Sequence, residues 1–393
     1  MAIYKIFPEK DATLYTEFPN QNTGRDEILE ASTYLKDSQP QVSRYLVKFA
    51  TSEITNVISS KIGTGKSEWT AYFRNFHAVV TGLNLDQKLE FYPIAGNWGM
   101  GTGRYNDIPK VENGTSWNWL DYSGSTLWPT SGFPTYVTAS WSGSVTGGGN
   151  WYTGSNISTL SSGTNTVTQS QAFTYSDPKD ILVDVKNTVE TWYSYSLDNN
   201  DGFANQGFLV KNTGSVEFIN TKNATTTFKY FSIDTNTIYP PQLEFRWNDF
   251  VFDTGSSKNT VLPQVESFIS VYNNQGTYYS QSVPRLRFAA MPKYPDRVFL
   301  TASLYNTNYY LPESQSFYAI KDTETNEFVI DFDRNFTRIS SDATSSYFDL
   351  YMNGLEPERY YTILVQTTID GTTKVFDENI MFKVAKGWAH TKI

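Results

Sequence analysis

The sequence predicts an all-β protein built from two β-sandwich domains, and three observations lead to this prediction. Aromatic side chains make up 16% of the 393 residues, and such side chains suit a half-buried pleated sheet. Short segments of alternating apolar and polar residues recur along the chain, separated by Gly, Asn, Asp and Pro. The length exceeds that of one ordinary sandwich. We therefore expect a first sandwich over 1–250, an immunoglobulin-like sandwich over 260–386 and a tail over 387–393.

The clearest strand of the first domain is Arg44-Tyr-Leu-Val-Lys-Phe49. Its alternation predicts that Tyr45, Val47 and Phe49 share one face of a sheet and that Leu46 lies on the other. We expect two strands within 76–91, joined by a loop at 82–86, and a helix or an irregular connection over 52–62. Further strands are predicted at 181–185, 207–211, 216–219 and 243–247, and one or two helical turns at 187–195.

A long excursion from the first sandwich is predicted over 96–176, where Gly, Ser, Thr, Asn and Trp dominate. Six tryptophans lie in it, and exposed aromatic side chains on loops stack on sugars or anchor protein partners. The other interpretation is that they fold back as small cores that hold the long loops. The candidate interaction loop consists of Trp98, Trp117, Trp119, Trp128, Trp141 and Trp151.

The second domain shows about seven short strands, the number typical of an immunoglobulin-like sandwich. Asp370-Gly371 lies between two of them and predicts a two-residue hairpin turn. The strands are predicted at 267–272, 285–288, 316–320, 328–332, 347–352, 360–368 and 380–384.

Composition also excludes several classes of function. The chain has 40 acidic and 31 basic residues and no Lys/Arg cluster, so we expect no nucleic-acid partner. It has no cysteine and two histidines, His77 and His390, which leaves no thiol nucleophile, no histidine pair and no thiolate metal site. No apolar stretch approaches the ~20 residues that span a bilayer. We expect no catalytic residues, no cofactor, no metal and no membrane partner.

Two short motifs resemble ligand sites but are better interpreted as loops. Ile62-Gly-Thr-Gly-Lys-Ser67 has serine, not glycine, at position 60, where a phosphate-binding loop needs glycine. Leu197-Asp-Asn-Asn-Asp-Gly202 has the close spacing of acidic and amide residues found in calcium loops, but no Glu closes it at the EF-hand distance. A turn is the favoured interpretation of the second motif.

In the first 250 residues, a series of short segments resembles the DNRLRE type of jelly-roll sandwich, a relative of carbohydrate-binding modules. The resemblance implies a jelly-roll topology for the first domain. Gly99-Met-Gly101 lacks the acidic residue that the family has after its tryptophan, so no metal site is expected there. The segments that carry the resemblance are, in order, Asp11-Ala-Thr13, Asn22-Thr-Gly24, Ser43 to Phe49, Asn97 to Gly103, Thr115-Ser-Trp117, Val183 to Trp192 and Gly207 to Lys211.

The whole arrangement is similar to virion structural proteins of tailed bacteriophages. This similarity includes Tyr239-Pro-Pro-Gln-Leu243, Arg246-Trp247 and the stretch from Gly354 to Tyr361. It implies a non-enzymatic component of the neck, the tail or a fibre attachment, whose partners are other virion proteins. No basic segment precedes an apolar run at the start of the sequence, so we expect synthesis in the host cytoplasm and location in the virion. The alternative is a module that binds a host surface glycan or another receptor through the aromatic loops.

Overall fold

The computed structural model describes residues 2–63, 68–83, 86–128, 137–139, 147–153, 157–159, 163–198, 201–218, 225–254, 261–294 and 309–386. Strands account for 46% of residues and helices for 9%, far below the helix content of an average globular protein, so the predicted all-β class is confirmed. The chain divides into two compact units. The N-terminal unit comprises 6–66 and 70–244, and the C-terminal unit comprises 1–5, 67–69 and 245–393.

The strands before residue 250 are short and separated by turns. They are β1 (Ala2–Ile6), β2 (Pro8–Tyr15), β3 (Ile28–Lys36), β4 (Gln39–Phe49), β5 (Trp69–Asn75), β6 (His77–Thr81), β7 (Gln87–Pro93), β8 (Trp119–Asp121), β9 (Thr126–Leu127), β10 (Val137–Ala139), β11 (Asn150–Tyr152), β12 (Ile157–Thr159), β13 (Gly163–Asn165), β14 (Gln169–Phe173), β15 (Ile181–Asp184), β16 (Phe208–Asn212), β17 (Thr226–Phe231) and β18 (Gln242–Trp247).

The N-terminal unit is a sandwich whose large sheet has the order β14-β7-β16-β4-β3-β17-β6, with β2 also paired to β4. The antiparallel pair β5 and β15 lies against one face of this sheet. Phe73 of β5 contacts Phe49, Phe91 and Phe208 of the large sheet, with ring centroids 5.4–6.1 Å apart. This aromatic core confirms the predicted inward face of β4, because Tyr45, Val47 and Phe49 are all fully buried.

Helices are few in this unit. They are α1 (Thr51–Asn56), which continues as a π-helix (Val57–Gly63), α2 (Lys186–Leu197) and α3 (Gly214–Glu217). The predicted helical turns at 187–195 are confirmed within the longer α2, where Val189 and Trp192 face the core. No helix in the described ranges is long and apolar enough to cross a membrane.

The strand predicted at 216–219 is wrong, because Glu217 ends α3 and residues from 219 lie outside the described ranges. The amide N–H of Glu217 bonds to the Thr213 carbonyl at 3.0 Å, which closes a helical turn. The Glu217 carboxylate is buried between the charged groups of Arg44 and Lys211. Alternation in the sequence cannot reveal this ion pairing, which links Glu217 to residues of β4 and β16.

The later strands form the C-terminal unit. They are β19 (Ser267–Val271), β20 (Thr277–Tyr279), β21 (Arg285–Pro292), β22 (Ser316–Asp322), β23 (Phe328–Ile330), β24 (Ser340–Ser341), β25 (Ser346–Asp349), β26 (Tyr360–Ile369) and β27 (Thr372–Ala385). A short 3₁₀ helix (Met352–Gly354) lies between β25 and β26.

These strands have the immunoglobulin-like topology that the sequence predicts. One sheet has the order β19-β21-β25-β24 and the other the order β20-β27-β26-β22-β23. Named A to G in chain order, with β20 as A′ and β23 as C′, they give sheets ABED and A′GFCC′. In the described part of this unit, the sequence prediction missed the short strands β20 and β24 and the first half of β27.

Two local features support this assignment. Tyr361 lies at the start of β26, and its hydroxyl donates to the Glu356 carbonyl at 3.0 Å, which is the tyrosine-corner contact of such sandwiches. Tyr318 and Phe348 stack across the core with centroids 3.9 Å apart. This stacked pair fills the centre of a sandwich that has no cysteine to bridge its sheets.

The hairpin turn predicted at Asp370-Gly371 is confirmed. Ile369 pairs with Thr372 at the end of the β26–β27 ladder, and both turn residues have positive φ, 49° for Asp370 and 77° for Gly371. Two successive positive φ values are the mark of a type I′ turn.

Residues before 264 are also tied to the C-terminal sandwich. Val251 and Asp253 bracket Ser341 with backbone hydrogen bonds of 2.9 and 3.1 Å. The amide of Leu262 donates to the Tyr310 carbonyl at 2.8 Å, and the Leu262 side chain is part of the buried core. The division of the chain lies between Glu244 and Phe245 in this region.

Candidate functional site: the tryptophan loops

The long excursion packs on the face of the large sheet that points away from β5. Alternation along β4 turns Arg44 and Leu46 toward this outer face. Described parts of the excursion cover them, so that the large sheet is buried on both sides. The resulting outer core contains Ala12, Leu14, Val42, Leu46, Ile94, Trp98, Trp117, Trp128, Trp151 and Leu209.

A buried ion network lies within this outer core. Arg44, which is fully buried, forms a two-pronged pair with Glu217, with N–O distances of 2.6 and 3.0 Å. Lys211 donates to the same carboxylate at 3.0 Å and lies 3.8 Å from Glu90. Two cations thus face two carboxylates, and the network as a whole is neutral.

The surroundings favour the charged form of Glu217. Burial alone would raise the pKa of Glu217, but the charges of Arg44 and Lys211 lower it below its ordinary value. Burial lowers the pKa of Lys211, and Glu217 opposes that change. The Arg44 guanidinium also lies 4.9 Å from the Trp117 ring and 5.4 Å from the Trp151 ring, which are cation–π distances.

The network also fixes the excursion to the sheet. Arg44 donates from Nη1 to the Gly148 carbonyl at 2.6 Å, and the Gly148 amide donates to the Trp117 carbonyl at 2.6 Å. A side chain at Gly148, where φ is 77°, would meet the Trp117 ring at 2.7 Å and Arg44 at 2.8 Å. Glycine is therefore required for this close approach.

Asn22 holds the other side of the excursion. Its side-chain N–H groups donate to the carbonyls of Met100 and Thr115 at 2.7 and 2.8 Å. Its Oδ1 accepts from the amides of Gly24 and Gly103 at 3.1 and 2.8 Å. One buried amide thereby joins three backbone segments and satisfies all its hydrogen-bonding groups.

The six tryptophans of the candidate interaction loop do not share one environment. Trp98, Trp117, Trp128 and Trp151 are 1–5% exposed, so they form a small core and are not accessible to a sugar or a partner. Trp119 is half-buried and donates to the Asn20 side chain at 3.1 Å. Trp141 lies outside the described residues.

The segments that resemble the DNRLRE type have structural roles here. Arg44, Asn22 and Trp117 belong to the contacts given above. Trp98 donates from Nε1 to the Gln206 carbonyl at 2.9 Å, and the Lys10 ammonium lies 4.4 Å from its ring. These residues hold the layers of the N-terminal unit together.

A surface cavity of about 290 Å³ lies beside β6, where the sequence draws attention only to His77. It is lined by His77, Val80, Gly82, Leu83, Tyr175 and Lys179. Tyr175 is 87% exposed, on a turn that Lys179 closes by donating to the carbonyls of residues 174 and 175 at 2.7 and 3.0 Å. The exposed ring is therefore held by its turn. Tyr175 lies in a segment of mixed polar residues, so the sequence did not predict that its ring is exposed.

His77, which lines this cavity, is hydrogen-bonded to Asp180. Its Nδ1 lies 2.6 Å from Asp180 Oδ1, and its amide donates to the same oxygen at 3.0 Å. This pairing leaves Nε2 as the imidazole nitrogen that can meet a ligand. In the described part of the chain, no group of three His, Cys, Asp or Glu side chains could hold a metal ion.

Neither a known protein family nor a curated protein matches the sequence. Among solved structures, the chain is similar to the adhesin domain of Epf from Streptococcus pyogenes, at 8% sequence identity over 97% of this chain and 98% of that chain. The TM-score of 0.17 is too low to show a shared fold.

Proposed function

We propose that this protein is a non-enzymatic structural component of a tailed-phage particle, located in the neck, the tail or a fibre attachment. In this proposal it is made in the host cytoplasm and acts through contacts with other virion proteins. The resemblance to DNRLRE-type sandwiches and to phage virion proteins motivates the assignment.

The observation that carries the proposal is the packing of the excursion against the large sheet. Loops that serve a flexible binding or catalytic site usually stay accessible, whereas here four tryptophans and a neutral ion network are buried beneath them. An arrangement of this kind favours a rigid module. Rigid modules with fixed surfaces are what subunit packing requires.

Exposed apolar side chains on the C-terminal unit give additional support. Phe268, Met291 and Tyr294 are 52%, 46% and 67% exposed. Aromatic residues and methionine are enriched in the cores of protein–protein interfaces. We infer that neighbouring subunits cover part of this surface.

Mass spectrometry of purified particles tests the proposal. We expect the protein at a fixed copy ratio to the neck or tail proteins in particles from its source. Absence from clean particles would contradict the proposal. Hydrolysis of a polysaccharide that is lost on changing a single Asp or Glu would contradict its non-enzymatic part.

The cavity beside β6 favours a second candidate function, the binding of a host glycan or another receptor. The face of an exposed tyrosine packs well against the apolar face of a pyranose ring, and His77 Nε2 provides one polar contact. In this candidate function the aromatic contact would come from Tyr175 and not from the buried tryptophans.

A glycan array separates the two candidates. If the protein binds glycans here, Tyr175→Ala loses the signal, while Tyr272→Ala, at a tyrosine 52% exposed in the other unit, retains it. Binding that survives Tyr175→Ala would exclude this cavity, and the lack of any signal would leave only the structural proposal.

A further inference from the structure

We propose that two copies of this chain pair through strand β19, antiparallel and about a two-fold axis at Ile269. β19 is the last strand of its sheet, bonded to β21 on one side only. In the described part of the chain, no hydrogen bond reaches the other edge of residues 267–271. The inference uses the C-terminal unit alone and is independent of whether the protein belongs to a virion.

The hydrogen-bond pattern of β19 determines which backbone groups are free. Tyr272 donates to Arg287 at 3.2 Å, and Lys293 donates to Glu266 at 2.8 Å, so the even-numbered residues form the bonded pairs with β21. Ser267, Ile269 and Val271 therefore direct their N–H and C=O groups toward the free edge. Ser267 lies opposite Pro292, which has no N–H to donate. This agrees with the pattern, in which the odd-numbered residues of β19 form no hydrogen bonds with β21.

Antiparallel pairing about Ile269 satisfies all of these groups. Ile269 faces its own equivalent in the second copy, and Ser267 faces Val271 in both directions. Since bonded pairs in an antiparallel ladder recur at every second residue, all three positions fall on bonded pairs in this one register. A shift of the second copy by one residue would leave the N–H and C=O groups of these three residues without partners. It would also turn the buried face of the second copy, which carries Ile269, to the solvent side of the first.

The side chains of the outer face also match in this register. Phe268 and Met291 are direct neighbours across β19 and β21, and Ser270 and Ala289 are the next pair along on the same face. The two-fold axis sets Phe268 of one copy beside Ser270 of the other, so a large side chain meets a small one. The pairing strands carry no charge, and no like charges are brought together.

Within residues 267–271, β19 also lacks the sequence features that usually protect an edge strand, although Lys374 of β27 bonds to the Val265 carbonyl just before this segment at 3.4 Å. It contains no Lys, no Pro and no other charged residue, and its register with β21 runs without a bulge over all five residues. By contrast, β6 at the edge of the large sheet is interrupted by a bulge opposite Lys229 and Tyr230. Of these two edges, β19 is the one suited to accept another strand.

Measuring the mass of the full-length protein by light scattering tests the proposal. At about 100 µM, a concentration that populates a weak interface, we expect a species of twice 44.6 kDa, which is about 89 kDa. Ser270→Lys places a charge in the centre of the pairing and should return the mass to that of the monomer. Leu182→Lys, on an exposed position of β15 in the N-terminal unit, adds the same charge away from β19 and should leave the dimer intact.

Single cysteines test the register itself, because the chain has none of its own. Residues 268 and 270 of opposite copies form a non-bonded pair with Cα atoms about 4.5 Å apart, within disulfide range. Mixing Phe268→Cys with Ser270→Cys protein should give a cross-linked heterodimer on oxidation. Each variant alone should not cross-link, because its own equivalent lies about 8 Å away.

The outcomes are distinct. A monomeric mass for the unchanged protein overturns the proposal and leaves β19 for a strand of another protein. A dimer that persists in Ser270→Lys, or mixed cysteines that do not cross-link, also overturns it. The cysteine experiment remains decisive even if Ser270→Lys does not fold.

Discussion

Two buried ionisable side chains of the N-terminal unit illustrate two ways in which a protein can hold such a group out of water. Arg44 has a two-pronged carboxylate partner, a backbone carbonyl and two aromatic rings around it. Asp11 has the Ile233 amide at 2.7 Å and no cation paired with it in the described part of the chain. Burial raises the pKa of Asp11 to about 8, and the charges of Asp234 and Asp26 add to this effect.

We expect Arg44→Met to lower the free energy of unfolding by about 3–5 kcal/mol, because Glu217 would keep a buried charge with less compensation. Arg44→Met combined with Glu217→Met should recover more than half of that loss. Urea unfolding followed by tryptophan fluorescence measures both effects. Arg25→Met removes the exposed pair with Asp234 and should cost less than about 1 kcal/mol. Equal costs at the two sites would show that the buried network does not hold the excursion.

Asp11→Asn should stabilise the protein at high pH. The folded pKa of Asp11, about 8, lies above its ordinary value of 3.8, so the folded state favours the protonated form. The stability linked to this proton is complete below about pH 4 and is lost as the pH rises toward 8. Asparagine stays neutral and can still accept the Ile233 amide. The variant should gain at least about 2 kcal/mol over the wild type between pH 4 and pH 8.

Urea titrations at several pH values measure this difference. Asp37→Asn is the matched control, because it makes the same Asp-to-Asn change at an exposed turn position. The control should show a difference that stays nearly constant with pH. A constant difference for Asp11→Asn as well would mean that Asp11 is ionised in the folded state at neutral pH.

Among the elements, the turn of the β26–β27 hairpin depends on backbone conformation at Gly371 and not on packing around it. Gly371 has a φ of 77°, and a Cβ atom at this position would have no other atom within 4 Å. The cost of a side chain there would therefore come from backbone strain and not from steric overlap. Gly214, at the start of α3, has equally open surroundings and no positive φ. The two glycines therefore differ in backbone conformation alone.

Gly371→Ala should lower the free energy of unfolding by about 1 kcal/mol, the cost of a left-handed conformation for a residue with a side chain. Gly214→Ala should have no cost or should stabilise slightly, since alanine favours a helix. Thermal unfolding monitored by circular dichroism compares them. If both substitutions have the same effect, the turn does not contribute to stability through its φ angles.

At the scale of the whole molecule, alternation was sufficient to predict the fold class, the inward face of β4 and most strands of the C-terminal sandwich. Burial on one face imposes a period of two on the residues, and this signal is local. The burial of the loop tryptophans could not be predicted from the residues next to them in sequence. Whether an aromatic residue in a loop is exposed or buried depends on distant partners, and here the partners of Trp117 include Arg44, which belongs to β4.

The role of Glu217 was missed for the same reason. Its neighbours in sequence read as a strand, whereas its partners, Arg44 and Lys211, come from β4 and β16. Tyr175 was missed because exposure on a closed turn depends on the hydrogen bonds of Lys179. Contacts with Arg44, far away in sequence, thus decided the environments of Trp117 and Glu217, whereas the exposure of Tyr175 depends on a local turn.

The start of the C-terminal sandwich can be located by comparing two fragments that begin at residues 245 and 264. A fragment of residues 245–393 lacks Ile3 of the sandwich core but keeps the backbone bonds of Val251 and Asp253 to Ser341, so it should unfold cooperatively. It also keeps Leu262, whose side chain is 2% exposed. A fragment of residues 264–393 lacks all of these contacts. Losing one buried leucine and its backbone bond costs about 2–3 kcal/mol, so the shorter fragment should be less stable by at least that amount in urea. Equal midpoints for the two fragments would place the start of this domain after residue 263.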